Sequence, residues 1–424
     1  MRHTKALWAL ALGSTSALAL AQGESIAELA YALDTIALLM CAVLVIHMKP
    51  GFALLEAGLH GSKNAINIFM KNYATFAIAG LTYWAIGFAI MYGAGPFLAG
   101  YDADLYPGAA DFFFQMVFAA TAATIVSGAI GGRMKFGAYL VFAAVMTAVI
   151  YPFLGAWHWG EGWLYQLGFA DFAGSSVVHA VGGFAALGGI LALGPRLGRY
   201  ANGKAVAMPG HNLPLAGVGV FLLWIGWFGF NGGSQLAFSS VADAQAVATV
   251  FLNTNLAAAT GAFAALLLSW ALFKKPDFSM TLNGVIAGLV SITAGPDVIN
   301  GMWAVLVGAI GGVIVTGSIL LLDRLKLDDP VGAVSAHGTA GIWGTVAVGL
   351  FGGANLGVQL LGSLTYAAVA FGATYVLFMA LKATMGIRVP AREEVTGLDL
   401  AEHGAEAYRN DDTLNDPVLV GAGD

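Results

Sequence analysis

Long apolar runs separated by short polar connections dominate the chain after residue 30. Most runs have the length of about 20 residues that a helix needs to cross a hydrocarbon core about 30 Å thick. They lie at 33–58, 68–95, 110–131, 136–156, 174–194, 212–233, 246–273, 281–295, 301–322, 333–351 and 359–385. Continuous runs argue against a membrane β-barrel, whose strands alternate over about ten residues. The pattern predicts an all-α integral membrane protein with eleven transmembrane helices.

Positive charge is confined to alternate connections between these runs. Lys and Arg occur after the first, third, fifth, seventh, ninth and eleventh runs, whereas the other connections contain no Lys or Arg and most of them contain Asp or Glu. Because positive residues stay in the cytoplasm, the mature amino terminus is predicted outside and the carboxyl tail inside. Composition agrees with a membrane protein, since 58% of residues are hydrophobic and 10% are charged, against about 25% charged in soluble domains.

One motif, D-x-x-G-x-x-x-x-H-x-x-x-G, occurs twice, at 171–183 and 329–341. The two copies open the fifth and tenth runs, which cross the membrane in opposite directions. They therefore predict an inverted five-plus-five repeat, with halves at 33–194 and 212–351 and an additional helix at 359–385. Inverted repeats place transport sites where the halves meet near the midplane. We expect each Asp to cap a helix and each His to lie about 12 Å inside it, with His179 and His337 as neighbours.

An ionisable side chain inside a bilayer is costly and is a functional hypothesis by default. The alternative is that His179 and His337 are neutral imidazoles bonded to the helix backbone. Their duplicated spacing favours a functional pair. Each neutral imidazole has one donor and one acceptor, so two in contact can pass a proton or hold a small molecule.

Aromatic side chains concentrate near the predicted outer face. Trp157, Trp159 and Trp163 lie in a connection without positive charge, and form either an interfacial belt or a cation–π collar for a small cation. Aromatic residues are also dense at 112–118 and 224–230. They are either ordinary core residues or hydrophobic gates that remove water from a permeant.

Four segments together resemble the ammonium transporter (Amt/Mep/Rh) family, in its bacterial Amt branch. They are DFAGSSVVH at 171–179, WFGFNGGS at 227–234, the DDP…HG pattern of 328–338 and GLDLAEHGAEAY at 397–408. The resemblance extends from about residue 31 to residue 408. It implies a homotrimer in the bacterial inner membrane, with one narrow pore through each eleven-helix subunit, that transports ammonium and its analogue methylammonium.

The resemblance also implies functional positions along the pore. They are a recruiting site of Trp159, Phe118 and Ser234, supported by Asp171; a phenyl gate of Phe118 and Phe230; and a pore lined by His179, His337 and Trp227. For Asp171, capping of its helix is the simpler alternative. Because a bare cation at mid-bilayer is costly, ammonium is expected to lose its proton before or at the gate and to cross as ammonia. Whether the proton crosses separately stays open.

The two ends of the chain lie outside the transport domain of 22–385. Residues 1–21 combine a basic start, an apolar core and Ala19-Leu20-Ala21, which predicts a cleaved signal peptide; an uncleaved first helix is the alternative. Residues 386–424 are polar and predict either a disordered tail or a cytoplasmic regulatory tail. The resemblance implies that this tail contacts a cytosolic PII-type signalling protein, through Gly397, Leu398, Asp399, His403, Gly404 and Tyr408.

Several polar residues depart from the expected pattern. His47, Lys49 and Glu56 lie in the first run. Lys49 and Glu56 are seven residues apart on one helical face and either form an ion pair or separate, with Glu56 at the inner pore mouth and Lys49 on a carbonyl near Pro50. A lysine in the pore would repel ammonium. Asn283 in the eighth run is expected to line the inner vestibule.

Three other functions fit parts of the sequence. An ammonium sensor with little transport, signalling through its tail, would be distinguished by a fused output domain. A haem protein would use the two histidines as ligands, but the C-x-x-C-H motif is absent and the single cysteine, Cys41, lies in an apolar run. A Rh-type carrier of carbon dioxide fits the tail poorly. We expect no enzymatic activity, no cofactor or metal, and no nucleic-acid partner.

Overall fold

The computed structural model describes residues 25–408, which are mainly helical. Nine helices in this part of the chain are long and apolar enough to cross a membrane. They are α1 (Ser25–Leu59), α2 (Ser62–Tyr92), α3 (Gly108–Ile130), α4 (Phe136–Gly155), α5 (Ser175–Leu193), α6 (Leu213–Gly233), α7 (Val241–Phe273), α9 (Gly301–Arg324) and α11 (Leu356–Thr384). Two shorter apolar helices, α8 (Phe278–Ile292) and α10 (Val334–Thr339 continuing as Ala340–Phe351), complete a set consistent with the predicted eleven. The predicted signal peptide lies outside the described residues.

Small elements follow on the side predicted to be cytoplasmic. Strands β1 (Tyr200–Ala201) and β2 (Lys204–Ala205) form an antiparallel hairpin between α5 and α6. After α11, the chain forms two short helices, α12 (Ala391–Thr396) and α13 (Leu398–His403). These two helices belong to the segment that the sequence marked as a tail.

The openings of α1 and α5 differ in detail from the predictions. α1 begins by residue 25 rather than 33, and a turn at His47 interrupts it just before Pro50, whose ring cannot continue the hydrogen-bond ladder. α5 begins at Ser175, because Gly174 has a left-handed φ of 104°, so His179 lies in the opening turns rather than eight residues inside the helix. The first turns of α5 and α10 are π-helical, a form often found at functional sites.

Helices α3 and α5 lie at the centre of the molecule. The most apolar stretches of α3 and α5 are 94% and 83% buried, whereas those of α1 and α7 are 28% buried and present apolar side chains outward. Exposed apolar side chains on the outer helices suit contact with lipid, as expected for a multi-pass membrane protein.

Glycines of the duplicated motif let the two repeat helices cross in backbone contact. A Cβ on Gly183 of α5 would lie 2.2 Å from the Gly338 nitrogen of α10, and one on Gly341 would lie 2.4 Å from the Ser175 carbonyl oxygen. Small residues at helix crossings are the usual means of close packing in membranes. The crossing fixes the relative position of the residues next to it, which include both motif histidines.

Candidate functional site

His179 and His337 meet at the crossing of α5 and α10. Their Nδ1 atoms are 3.2 Å apart, and their rings stack with centroids 5.2 Å apart at 21°. One Nδ1 carries the proton that the other accepts, so the two rings hold opposite tautomers. The pair therefore presents one bare Nε2 and one Nε2–H to its surroundings. His179 is fully buried, and its Nε2 has no hydrogen-bond partner among the described residues.

Aromatic rings continue outward from the histidines. The indole of Trp227 stacks on His179 with centroids 4.9 Å apart and is fixed by a 2.8 Å hydrogen bond from its Nε1 to Thr293. The ring of Phe230 lies 5.4 Å from His179 and 4.0 Å from Phe118, inclined at 30°. The two phenyl rings are both almost fully buried. Phe230 contacts the histidine pair, and Phe118 contacts Phe230 on the side away from it.

A cavity of about 370 Å³ opens outside the phenyl rings and is lined by Phe118, Trp159 and Ser234, among others. Trp159 meets Phe118 edge to face, with centroids 5.8 Å apart. The Ser234 hydroxyl donates to the Phe230 carbonyl at 2.8 Å, so its lone pairs remain free to accept. Aromatic faces and a hydroxyl acceptor suit a small cation that donates hydrogen bonds. The structure thus brings together three of the predicted site residues.

Asp171 lies behind this cavity and not in its wall. Its carboxylate accepts four backbone N–H groups at the start of α5, those of residues 174–177, at 2.8–3.0 Å. Its carbonyl accepts the Trp159 indole N–H at 3.0 Å, which links the helix start to the aromatic wall. Burial raises the pKa of Asp171 to about 6, although these N–H groups act to lower it.

Sequence reasoning missed several polar residues of the outer cavity. They are Tyr92, Tyr101, Tyr106, Asp111, Gln115, His158 and Glu161. Asp111, only 6% exposed, accepts a hydrogen bond from the Tyr101 hydroxyl. The place of Asp111 one helical turn before Gln115 on α3 is the sequence signal that could have placed both residues in the same wall.

A second, much smaller cavity lies on the other side of the histidines. Its volume of about 10 Å³ is lined by His337, Phe52, Glu56 and Asn283, together with apolar residues of α3, α8 and α10. A single water-sized molecule needs roughly this volume. Glu56 and Asn283 therefore lie next to His337, on the side of the histidines away from the phenyl rings.

Lys49 follows neither of its two predicted arrangements. Its Nζ donates to the Thr124 hydroxyl at 2.7 Å, not to a carbonyl near Pro50, and the ion pairs within residues 25–408 do not include Lys49 with Glu56. The reason is geometric: Ser127 on α3 and Asn72 on α2 bind the carboxylate instead. Lys49 lines neither cavity, so its charge does not enter the pore wall.

The tail residues dock on the amino-terminal ends of α2 and α4. Asp399 accepts the backbone N–H groups of Ile66 and Asn67, at 3.0 and 2.8 Å, and thereby caps α2. Leu398 donates its N–H to Asn64, and the Tyr408 hydroxyl lies 2.9 Å from His211. Two glycines with positive φ, Gly397 and Gly404, bound α13, while His403 packs on the Phe136 ring at 5.1 Å. This part of the tail is ordered against the helical domain.

Comparison with known proteins decides the family. Residues 36–408 match the model of the Ammonium Transporter Family. This chain is an ammonium transporter family member. Ammonium transporter Amt2 of Archaeoglobus fulgidus is 45% identical to this ammonium transporter, over 89% of this chain and 88% of the relative.

Solved structures agree with that assignment. A protein described as a sensor Amt protein superposes with a TM-score of 0.82 and 36% identity, covering 89% of this ammonium transporter and 99% of that chain. Mep2 of Candida albicans superposes with a TM-score of 0.80 and 30% identity, over 91% and 92% of the two chains. The predicted fold and family are confirmed, and the structure is that of a multi-pass membrane protein.

Proposed function

We propose that this ammonium transporter recruits ammonium in the outer cavity, where ammonium releases its proton to solvent water in front of the phenyl gate, and that it conducts the resulting ammonia past the paired histidines. The observation that carries the proposal is the line of His179 and His337 between two cavities, behind the closed pair Phe118 and Phe230. A hydrated ion does not fit between rings whose centroids are 4.0 Å apart, and a bare cation there would lack compensating charge.

The outer cavity supplies the recognition step. Trp159 and Phe118 offer ring faces to the cation, and the Ser234 hydroxyl accepts one of its N–H groups. Asp171 acts from behind, because its carbonyl holds Trp159 and its carboxylate adds negative charge near the outer face. The four hydrogen bonds that the Asp171 carboxylate accepts are explained by capping of α5, and they do not require that Asp171 take the proton from ammonium.

The paired histidines supply the conduction step. Ammonia donates and accepts hydrogen bonds, and the opposite tautomers of His179 and His337 provide one group of each kind. Trp227, stacked on His179, gives the pore an apolar wall. Such a path holds a neutral molecule without a net charge in the membrane.

The test is an ammonium concentration jump on proteoliposomes of the full chain, with current and lumenal pH recorded on the same preparation. A current means that charge accompanies the permeant, and alkalinisation without current means neutral ammonia conduction. Absence of both signals contradicts the proposal.

The alternative function is an ammonium sensor with little transport. The observation in its favour is the superposition on a protein described as a sensor Amt protein, combined with a tail that is docked on α2 and α4. A sensor would bind ammonium in the outer cavity yet give neither current nor alkalinisation in the same experiment.

The wider biological setting follows from the family. We propose a homotrimer in the bacterial inner membrane, with the mature amino terminus outside and the tail inside, and a PII-type protein as the cytosolic partner. Positive side chains at the docked end, such as Lys63, Arg196 and Arg388, support that orientation. Binding of a purified PII-type protein to the full chain and to a chain ending at residue 385 tests the partner; equal affinity contradicts it.

A further inference from the structure

Asp111 is a buried acid in the wall of the outer cavity that the recruiting step does not use. Among the described residues, two carboxylates line this cavity, those of Asp111 and Glu161. Glu161 is exposed to solvent, whereas Asp111 is only 6% exposed. An acid buried beside a transport path is costly and is a candidate for a role in transport. Asp111 lies on the outer side of the phenyl gate, where the proposed function requires ammonium to lose a proton.

The hydrogen bonds of Asp111 leave room for a proton. One carboxylate oxygen, Oδ2, accepts the hydroxyl of Tyr101. The other, Oδ1, has a contact of 3.5 Å with the Gln115 amide nitrogen, which is longer than an ordinary N–H···O hydrogen bond of about 2.7–3.2 Å. A carboxylate has about four acceptor positions, so about two remain open at Asp111. Oδ1 can therefore accept a proton without loss of a strong hydrogen bond.

Asp171, a second buried acid near the outer face, lacks this capacity. Each of its carboxylate oxygens accepts two backbone N–H groups at the start of α5, at 2.8–3.0 Å, so its acceptor positions are filled. A proton on either oxygen would displace one of the hydrogen bonds that cap the helix. The two acids therefore have different capacities: Asp171 holds the start of α5, and Asp111 has an oxygen available to the cavity.

Helix α3 places Asp111 on the face that leads to the phenyl gate. Asp111, Gln115 and Phe118 follow one another at spacings of four and three residues and so share one face of the helix. All three line the outer cavity. At a rise of 1.5 Å per residue, Asp111 lies about 10 Å outward from Phe118 along the helix axis. A cavity of about 370 Å³ has room for several water molecules over this distance, and water beside Gln115 can carry a proton to Asp111.

Two effects make Asp111 charged at rest and neutral after a proton transfer. Asp111 lies in the first turn of α3, where the helix dipole favours a negative charge, and the Tyr101 hydroxyl donates to it. When ammonium enters the cavity, two opposite charges lose part of their hydration, which is costly for both. Transfer of one proton removes both charges and leaves ammonia and a carboxylic acid. The buried wall therefore favours the neutral pair more than bulk water does.

We propose that Asp111 is the first acceptor of the proton that ammonium loses in the outer cavity. One N–H bond of ammonium breaks, and its electron pair stays on the nitrogen of ammonia. The proton passes through water to Oδ1 of Asp111 and forms an O–H bond there. Ammonia crosses the phenyl gate, while Asp111 returns the proton to water on the outer side and is ionised again for the next ion. The inference rests on the proposed function and names the group through which the proton reaches solvent water.

The test separates binding of the cation from its turnover, with methylammonium as the probe. Binding to the full chain in detergent is measured by calorimetry, and the maximal rate of uptake is measured with labelled methylammonium in proteoliposomes. In Asp111→Asn we expect the maximal rate to fall about 10²–10⁴-fold, the usual contribution of a positioned acid–base group. The Kd should rise by no more than about threefold, because a charge about 10 Å from the recruiting site is screened by the water of the cavity.

Two further variants serve as controls for the carboxylate and for the charge. Asp111→Glu keeps a carboxylate at this position and should transport faster than Asp111→Asn. Asp104→Asn removes a charge from an exposed residue of the same connection and should leave both the Kd and the maximal rate unchanged. Melting temperatures verify folding, and Asp111→Ser replaces Asp111→Asn if the latter does not fold.

The outcomes separate this inference from the proposed function. An unchanged maximal rate in Asp111→Asn overturns the inference, whether the Kd is unchanged or raised, because a raised Kd alone would make Asp111 a counter-charge only. Equal losses of rate in Asp111→Asn and Asp111→Glu also overturn it, since the carboxylate would then not be the group that matters. Each of these results leaves the proposed function standing. Absence of ammonium-driven current, alkalinisation and uptake in the wild type overturns the proposed function itself.

Discussion

Asp171 and Asp329, the aspartates of the duplicated motif, accept different numbers of hydrogen bonds from backbone N–H groups. This difference predicts that substitution by asparagine destabilises the protein to different extents at the two positions. Asp171 accepts four N–H groups, whereas Asp329 accepts two, from Ala333 and Val334. In Asp→Asn, one oxygen becomes an NH2 group that faces the N–H donors it formerly bound. Asp171→Asn therefore loses two hydrogen bonds, and Asp329→Asn loses one.

Each lost bond to a charged acceptor costs about 1.5–3 kcal/mol. Asp171→Asn should thus destabilise the protein by about 3–6 kcal/mol and Asp329→Asn by about half as much. For a chain of 424 residues, 1 kcal/mol corresponds to about 1 °C in melting temperature. The measurement is thermal unfolding in one detergent, followed by tryptophan fluorescence. Asp104→Asn, an exposed outer residue, is the matched control and should leave the melting temperature unchanged.

The order of the two variants is the decisive result. Equal losses, or a larger loss for Asp329→Asn, would refute the reasoning that the carboxylates act as caps in proportion to the N–H groups they accept. Transport by Asp171→Asn, measured in the same preparations, then shows whether the negative charge has a role beyond the cap.

Three further predictions concern single side chains. Ser234→Ala removes one acceptor from the outer cavity and should raise the half-saturating ammonium concentration roughly two- to ten-fold, with Ser240→Ala as a control outside the cavity; an unchanged value contradicts the recruiting role. Asp399→Ala removes the cap of α2 and should speed hydrogen exchange of residues 391–403 about 5–30-fold, because a lost cap costs about 1–2 kcal/mol; unchanged exchange would show that the dock is held by other contacts. Although burial opposes it, hydrogen bonds and positive charge from Arg196 and Arg133 hold the pKa of Asp328 well below its usual range. Its folded-state pKa is therefore lower than its unfolded one, so its stabilisation is present above about pH 4 and is lost as pH falls. As the pH falls from about 5 to 3, the melting temperature of the wild type should decrease more steeply than that of Asp328→Asn. Parallel curves of melting temperature against pH for the two proteins would exclude stabilisation by the ionised Asp328.

The central pair could be predicted from sequence because it is encoded twice. The repeat of Asp, Gly, His and Gly fixed both the inverted symmetry and the contact of His179 with His337, and apolar run length located the helices. The depth of His179 within α5 could not be predicted, because Asp171 caps the helix from four residues away, across the left-handed Gly174. The order of residue types is the same whether Asp171 directly precedes the helix or caps it from four residues away, so the sequence does not distinguish the two arrangements.

The polar residues beside His337 show a different limit of prediction from sequence, which is that contacts between helices cannot be read from one helix alone. Glu56 bonds Ser127 and Lys49 bonds Thr124 across 71 and 75 residues of chain. Such contacts depend on how α1 and α3 are rotated against each other, and helical spacing within α1 alone suggested the ion pair that does not form. Similarly, the Asn283 Oδ1 has no hydrogen-bond partner among the described residues, which sequence alone could not show because it depends on the neighbours packed around it.

In the proposed function, permeation requires the paired histidines. The most direct measurement is uptake of labelled methylammonium into proteoliposomes containing the wild type or the double variant His179→Ala, His337→Ala, with thermal unfolding of both to verify folding. We expect saturable uptake by the wild type and no uptake above that of empty liposomes for the double variant. Unchanged uptake by a folded double variant would contradict it.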